Sequence, residues 1–447
     1  MSLFQPRGIA LVGASSDPDH LASRPLKYLA RTGFEGAIYP VNPRHERIGQ
    51  LRCYPDLASV PEPVDLALVS VPASGVPEAL QACAARGVKL AVVLSAGLGE
   101  DLCPPNGLLV MGPNSMGFVH ARGPVAATWN STLDLGSIRA GSVALIAQSG
   151  GLGGAVLNRL LDRGIGVSWA FWSGEERFLD TCDLLEMLLN DSETRVVMLL
   201  LEGLRRPIRF LGLARRAREC GVPLVAFKLA RSPRAAAAAL AHTGMLAGRR
   251  RVQRAAFRQL GILEAETLDE LVDLAVLFAA YPEPLGGRLG AVTTSGGGGI
   301  LIGDLCDELG MDLPALNEAT ANALRTILPA YVSIANPLDV TAGLPESTLL
   351  QALARLADDP RVDVVLALNT MIGGAAKLAE RAGGLVRTGA NISKPLLTCW
   401  LGGSLAAEGL AIYREAGQPY FLSLEACLRG VAAAREYHAR RAAWMSG

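Results

Sequence analysis

The stretch GSVALIAQSGGLGGAVLNRLLDRGIGV, residues 141–167, returns as GRLGAVTTSGGGGILIGDLCDELGMDL, residues 287–313. Ser149 answers Ser295 and Gly164 answers Gly310, both at an offset of 146 positions. Each copy runs from a continuous apolar strand through a Ser-Gly-Gly turn into an amphipathic helix, a glycine stop and a further strand. A continuous apolar run of this length reads as a strand buried on both faces, as in parallel sheets covered by helices. The parallel continues at longer offsets, with NDSETRVVMLLL (190–201) against DDPRVDVVLALN (358–369) and VPLVAFK (222–228) against KPLLTCW (394–400). Insertions between elements account for the drift. The repeat predicts two related flavodoxin-like domains, 140–280 and 287–440, joined near AAYPEPLGGR (279–288).

Upstream, RGIALVG, AIYPVNP, VDLALVSVPA and KLAVVLSAG are further strands of the same kind, separated by helical stretches. They predict a Rossmann-like α/β domain over residues 1–125, with ARGPVAATWNSTLDLGSIRA (121–140) as the link to the next. A chain of 447 residues is long enough for several cores. Its 42 basic and 42 acidic residues cancel, and Arg249–Arg251, the sharpest basic cluster, reads as a solvated helix face, so nucleic acid is not an expected partner. No apolar run approaches the roughly 20 residues of a membrane span. The eight cysteines are scattered without a CxxC pair, which excludes the usual zinc and disulfide patterns and fits a reducing cytoplasm. MSLFQPRGIALVG lacks the pattern of a secretory signal. No metal site is expected.

Chemistry is to be sought where the strands end. Gly13 and Ser15 follow the first strand, where small residues let backbone N–H groups approach a phosphate, although a tight turn needs the same residues. NAD is a poor match: there is no GxGxxG, and the second strand ends in Asn42-Pro43 rather than a ribose-binding carboxylate. Arg44 follows, and suits a nucleotide with an extra phosphate, such as coenzyme A. Ser149, Gly150 and Gly151, and again Ser295, Gly296 and Gly297, open helices whose first amides favour an anion; tight strand–helix packing is the alternative use of those glycines. Glu202 ends an apolar strand in VVMLLLEGL, where it is either a solvated strand end or the orienting partner of a histidine. His242, in LAHTGMLAG, is one of only five histidines and sits among small residues. Trp169 and Trp172 suit either a roomy acyl pocket or the core.

The ordered set VGASSDP, YPVNPR, CYPDL, PVDLALVSVPA, VVLSAGLGE, MGPNSMG, AQSGGLGGAV, LLLEG, FKLARS, AHTGMLAG, TTSGGGG, NPLDVTAG and CWLGG, from residue 8 to about 430, resembles the α subunit of NDP-forming acyl-CoA synthetases, in the succinyl-CoA synthetase superfamily. The resemblance implies a CoA-binding domain followed by two succinyl-CoA-synthetase-like flavodoxin domains. It implies the reaction acyl-CoA + NDP + phosphate ⇌ acid + CoA + NTP, through an acyl phosphate and a phosphohistidine. His242 matches the carrier histidine and Glu202 the carboxylate that orients it. CoA would lie across Gly13, Ser15, Asn42, Arg44, Val71, Pro72, Ser95, Gly97 and Asn114, and the two Ser-Gly-Gly turns would hold the phosphoryl group at the ends of its swing. The nucleotide-binding ATP-grasp module has no counterpart, which implies a separate β subunit carrying ATP/ADP with Mg, in a hetero-oligomer that acts on a small carboxylic acid and its acyl-CoA.

Three places depart from the family pattern. Only DLCPPNGLLVM (101–111) stands where a longer helical segment usually precedes GPN. Glu175, in WSGEE, replaces an asparagine near the acyl and phosphate end. Arg24-Pro25 replaces Gly-Asn, and Arg24 there is either a phosphate ligand or a surface charge. These departures leave a second reading, a non-catalytic CoA sensor or scaffold on the same fold.

Overall fold

The computed structural model describes residues 2–61, 63–136, 138–237, 250–371 and 373–446. They fall into two compact units, residues 1–158 with 166–266 and residues 159–165 with 267–447.

The first unit holds two sheets. One contains β1 (Gly8–Val12), β2 (Ala37–Val41), β5 (Leu66–Val69), β6 (Leu90–Val93) and β7 (Leu109–Met111), in the order β2-β1-β5-β6-β7, with all pairs parallel. A short hairpin of β3 (Arg47–Ile48) and β4 (Leu51–Arg52) lies between β2 and β5 in the chain. Strands β1, β5 and β6 are buried at every position, as their unbroken apolar runs require. Helix α1 (Arg24–Thr32) opens with proline in its first turn and closes on Gly33 at φ 76°, whose amide donates to the Ala30 and Leu29 carbonyls. Helix α2 (Val76–Ala85) follows β5. Between β6 and β7 no helix is formed; residues 94–108 make the crossover as a loop, the structural outcome of the shortened segment.

The second sheet contains β8 (Gly117–His120), β9 (Val125–Thr128), β10 (Ala140–Ala147), β11 (Val167–Trp172), β12 (Val196–Leu201), β13 (Leu224–Lys228) and β14 (Leu263–Glu264), in the order β14-β13-β12-β10-β11-β8-β9. Strands β8 and β9 are antiparallel additions to the β11 edge. The sequence reading gave residues 117–125 to the first domain and the following stretch to a link. Their pairing instead makes residues 117–128 part of the second sheet, because an unpaired β11 edge would expose its backbone groups. Helices α3 (Gly150–Asp162), α4 (Thr181–Leu189), α5 (Pro207–Cys220) and α6 (Arg250–Leu260) flank this sheet. Asp180 and Asp183 form a reciprocal capping box at the start of α4. One apolar cluster runs through both sheets, from Ile9, Leu66 and Met111 to Phe118, Ile146 and Phe171. Phe4 meets Phe118 edge-on at 5.0 Å and Phe171 at 5.2 Å.

The second unit is built on β15 (Leu289–Thr293), β16 (Leu338–Asp339), β17 (Val364–Asn369) and β18 (Leu396–Trp400), all parallel in the order β16-β15-β17-β18. Helix α7 (Leu268–Ala280), at the close of the 140–280 stretch, lies in the unit of residues 267–447 and packs on α13 (Leu424–Ser446) through Phe278 and Tyr437. Helices α8 (Gly296–Leu309), α9 (Glu318–Ile327), α10 (Glu346–Asp358), α11 (Gly374–Asn391) and α12 (Ala407–Ala416) complete it.

With the hairpin and the β8–β9 pair set aside, the three sheets share one doubly wound order, 2-1-3-4-5, the third lacking its fifth strand. In such sheets ligands bind beyond the strand C-termini, where the connections leave the first and third strands in opposite directions. The eight cysteines form no disulfide. Among the described residues no helix is long and apolar enough to cross a membrane, and no metal-binding group of His, Cys, Asp or Glu is found.

Candidate active site

In the first sheet, the nine residues read as CoA contacts all follow strand C-termini: Gly13 and Ser15 after β1, Asn42 and Arg44 after β2, Val71 and Pro72 after β5, Ser95 and Gly97 after β6, and Asn114 after β7. Gly13 has φ 83°, and a Cβ there would stand 2.8 Å from the Ser70 carbonyl oxygen, so only glycine lets the β1 and β5 ends close in this way. Asn42 donates to the Ala14 carbonyl at 2.8 Å and accepts from the Arg44 amide at 3.0 Å, which ties the two neighbouring turns together. The Ser95 hydroxyl donates to the Val71 carbonyl, and Asn114, at φ 57°, donates its amide to the Ser95 carbonyl at 3.0 Å. Beside Arg44 lies a polar cleft of about 700 Å³ lined by His45, Arg47 and Arg52. Sequence reading found only Arg44 of this basic group; the β3–β4 hairpin brings Arg47 and Arg52 opposite each other.

In the second sheet, α3 starts two residues beyond β10. Gly150 is packed close, for a Cβ there would meet Met116 at 2.5 Å, whereas Gly151 has nothing within 4 Å and faces open space. The close-packing reading thus holds for Gly150, while Gly151 takes no part in such packing. In the third sheet, Ser295 is the N-cap of α8, accepting from the Gly298 amide at 3.4 Å. Gly296 faces the Asp339 carboxylate, 3.4 Å from where its Cβ would be, so an anion at this helix start would share it with a negative charge.

Glu202 follows β12 and is 8% exposed, so it is not a solvated strand end. Its amide donates to the Gln148 side-chain oxygen at 2.5 Å and its carbonyl accepts from Lys228 Nζ at 2.6 Å. Gln148 also accepts from the Gly203 amide and donates to Glu176 at 2.8 Å. Glu176 is buried and accepts from the Ser173 and Thr181 hydroxyls at 2.7 and 2.6 Å; burial raises its pKa. Burial pushes Lys228 down to about 8, against the opposing effect of Glu202. Gln148, Glu176 and Lys228 are not singled out by sequence, since the bonds that join them to one another and to Glu202 span 26 to 54 residues. His242 lies outside the described residues.

The three departures acquire structural roles. Glu175 is buried but paired, 3.0 Å from Arg177, whose guanidinium also donates to the Leu98 and Gly99 carbonyls. The replacement carboxylate is thus neutralised and linked to the start of the helix-free crossover. Arg24 donates to the Trp129 carbonyl at 3.2 Å, anchoring α1 near β9. Trp169 and Trp172 are core residues, Trp169 stacked on His120 at 3.7 Å and donating to Asp191.

Family models match the chain in three stretches and mark it as a CoA-ligase type: a CoA binding domain over 7–121, a succinyl-CoA ligase like flavodoxin domain over 140–278 and a ligase-CoA domain over 289–444. It is 32% identical over 434 residues to the α subunit of ADP-forming acetate–CoA ligase II of Pyrococcus furiosus, covering 94% of this chain and 93% of that one. The single-chain ADP-forming acetate–CoA ligase I of Archaeoglobus fulgidus is also 32% identical, with 97% of this chain but 63% of that one covered. The dinucleotide forming acetyl-coenzyme A synthetase 1 of Ca. Korarchaeum cryptofilum, solved in complex with phosphate and ADP, superposes with a TM-score of 0.87 at 30% identity, over 99% of this chain and 98% of that one. The chain belongs to the family of α subunits of NDP-forming acyl-CoA synthetases.

Proposed function

We propose that this chain is the catalytic α subunit of a cytoplasmic acid–CoA ligase that interconverts acyl-CoA, NDP and phosphate with acid, CoA and NTP. The observation that carries the proposal is the buried placement of Glu202, its backbone fixed on both sides, in a chain of this family. A phosphate oxygen attacks the thioester carbonyl; the C–S bond breaks and the thiolate takes a proton. An imidazole nitrogen of His242 then attacks phosphorus, and the carboxylate leaves with the bridging oxygen. Glu202, hydrogen-bonded to the other ring nitrogen, would orient the imidazole and stabilise its positive charge. The Ser149–Gly151 turn, with Gly151 facing open space, and the Ser295–Gly297 turn would each meet the phosphoryl group with helix-start amides.

CoA fits the first crevice: the Gly13–Ser15 and Asn42–Arg44 turns suit its diphosphate, and Arg44, Arg47 and Arg52 its 3′-phosphate. The domain boundaries follow the three sheets, with residues 117–128 joined to the second. Relatives named as α subunits, one of them matched over 93% of its length, support a separate partner. That partner would be an ATP-grasp β subunit binding ADP or ATP with Mg. The acid would be a small carboxylic acid.

The test is intact-mass detection of acid-labile phosphorylation after mixing the chain with phosphate and a panel of acyl-CoAs. One phosphoryl group on the wild type and none on His242→Ala is expected. Absence of modification in both, even with an ATP-grasp partner and ATP, would overturn catalysis and leave the CoA-sensing reading.

A further inference from the structure

Lys228 is the last residue of β13, and Leu201, the last of β12, stands directly beside it in the parallel register. The residue is 6% exposed, an unusual setting for a lysine. The ammonium donates to two carbonyls, those of Glu202 and Leu229, each at 2.6 Å. On the far side of β12, Gln148 at the end of β10 accepts from the Glu202 amide. Gln148 is itself fixed, because its NH₂ group donates to Glu176 and to the Gly203 carbonyl at 2.9 Å, which leaves its oxygen facing the Glu202 and Gly203 amides. The peptide groups on both sides of the Glu202 Cα are therefore held by buried side chains from the two flanking strands.

A strand end without such ties turns freely about its last φ and ψ, and the carboxylate turns with it. Backbone hydrogen bonds of β12 do not supply the restraint, since the ladder to β13 ends at the Leu229 amide on the Leu201 carbonyl. We propose that Lys228 is a positioning residue for phosphoryl transfer: with Gln148 it clamps the Glu202 backbone and so sets the direction of the carboxylate that orients the carrier histidine. This rests on the function proposed above. The sequence supports the idea that the lysine is there for its head group. An apolar residue would fill the same position in a buried strand without any desolvation cost, and burial opposes the charge that Lys228 carries. The lysine also forms part of the wall of a cleft of about 300 Å³ beside Gly203, Leu204, Phe210 and Phe257, so a larger cationic head has room there.

The test compares Lys228→Met and Lys228→Arg with wild type in single-turnover phosphorylation of His242 from acyl-CoA and phosphate, alongside CoA affinity and thermal unfolding. Loss of the charged hydrogen bond to the Glu202 carbonyl should slow phosphorylation by about 10- to 100-fold in Lys228→Met. CoA affinity, set in the other sheet, should be unchanged, and Lys228→Arg should restore most of the rate. In a Glu202→Gln background, Lys228→Met should add little, because it acts through Glu202. A wild-type rate in Lys228→Met, full additivity with Glu202→Gln, or a loss of CoA affinity and melting temperature in step with the rate overturns the inference. Should Lys228→Met not fold, Lys228→Gln, which keeps N–H donors but loses the charge, carries the same comparison. Failure of the wild type to phosphorylate overturns the underlying function instead, and the two failures are separate observations.

Discussion

Gly13→Ala tests whether the contact of β1 with β5 shapes the CoA crevice. Two costs combine at this position. An L-residue at φ 83° is strained by about 1–2 kcal/mol, and the new Cβ would stand 2.8 Å from the Ser70 oxygen, 3.0 Å from its carbon and 3.1 Å from Val71 Cγ1. The Ser70 backbone cannot yield cheaply, because its amide donates to the Val12 carbonyl and β5 is paired on both sides. Overpacking of this kind costs about 1–3 kcal/mol, so a total near 3 kcal/mol is expected. For a unit of this size that is a fall of roughly 6–12 °C in Tm. Gly33→Ala is the control: Gly33 has φ 76° but nothing within 4 Å of its Cβ, so it bears the dihedral cost alone. Thermal unfolding measures the difference, and calorimetric CoA titration should show at least about a tenfold weaker affinity in Gly13→Ala, because relief of the clash moves Ser70 and Val71. Equal losses of stability in the two variants, or unchanged CoA affinity in Gly13→Ala, would refute the reasoning.

Arg177→Ala should destabilise the first unit by about 3 kcal/mol in denaturant unfolding, since it leaves the buried Glu175 without its cation, and Glu175→Gln in the same chain should recover part of that. Arg52→Ala should weaken CoA several-fold in titrations while leaving dephospho-CoA nearly unaffected, which distinguishes 3′-phosphate recognition from general charge. In the second unit burial raises Asp273 to about 6, with Arg163 at 3.1 Å offsetting only part of it. A carboxyl with a raised folded pKa binds its proton more tightly when folded, so its contribution is fully present below about pH 4 and is lost as pH rises through 6, on the order of 3 kcal/mol. Unfolding followed from pH 4 to 7 should show that slope in the wild type and a flatter one in Asp273→Asn.

The sheets were legible because buried parallel strands write themselves as unbroken apolar runs, and GIALV, VVMLLL and VVLALN could be nothing else at that length. Each strand's terminal glycine, serine or asparagine then located the crevices. The β8–β9 pair escaped because GFVH and VAAT are short antiparallel edge strands with Pro124 between them; their place depends on the β11 edge, 40 or more residues on. Glu202, Ser15, Asn42 and Arg44 are legible as polar groups at strand ends, the rest of the first crevice only through the family resemblance, and Gln148, Glu176 and Lys228 carry no local signal. A glutamine before Ser149 or a lysine closing β13 acquires meaning only when three strands stand side by side. Glu175 reads as a charge near the ligand, and Arg24 as either that or a surface charge, because sequence does not show the guanidinium and carbonyl that occupy them.

The shared strand order hides a difference in how each sheet hands over from its first strand to its first α-helix. In the second and third sheets two residues suffice, 148–149 and 294–295, and the helix begins almost on the sheet edge. In the first, residues 13–23 intervene before α1. A short handover sets the first helix amides against the strand end, whereas a long one leaves backbone free to turn before the helix begins. On the function proposed above, the short handovers would suit a phosphoryl group and the long one a nucleotide, and shortening the 13–23 segment would cost the first crevice its CoA without altering a single strand.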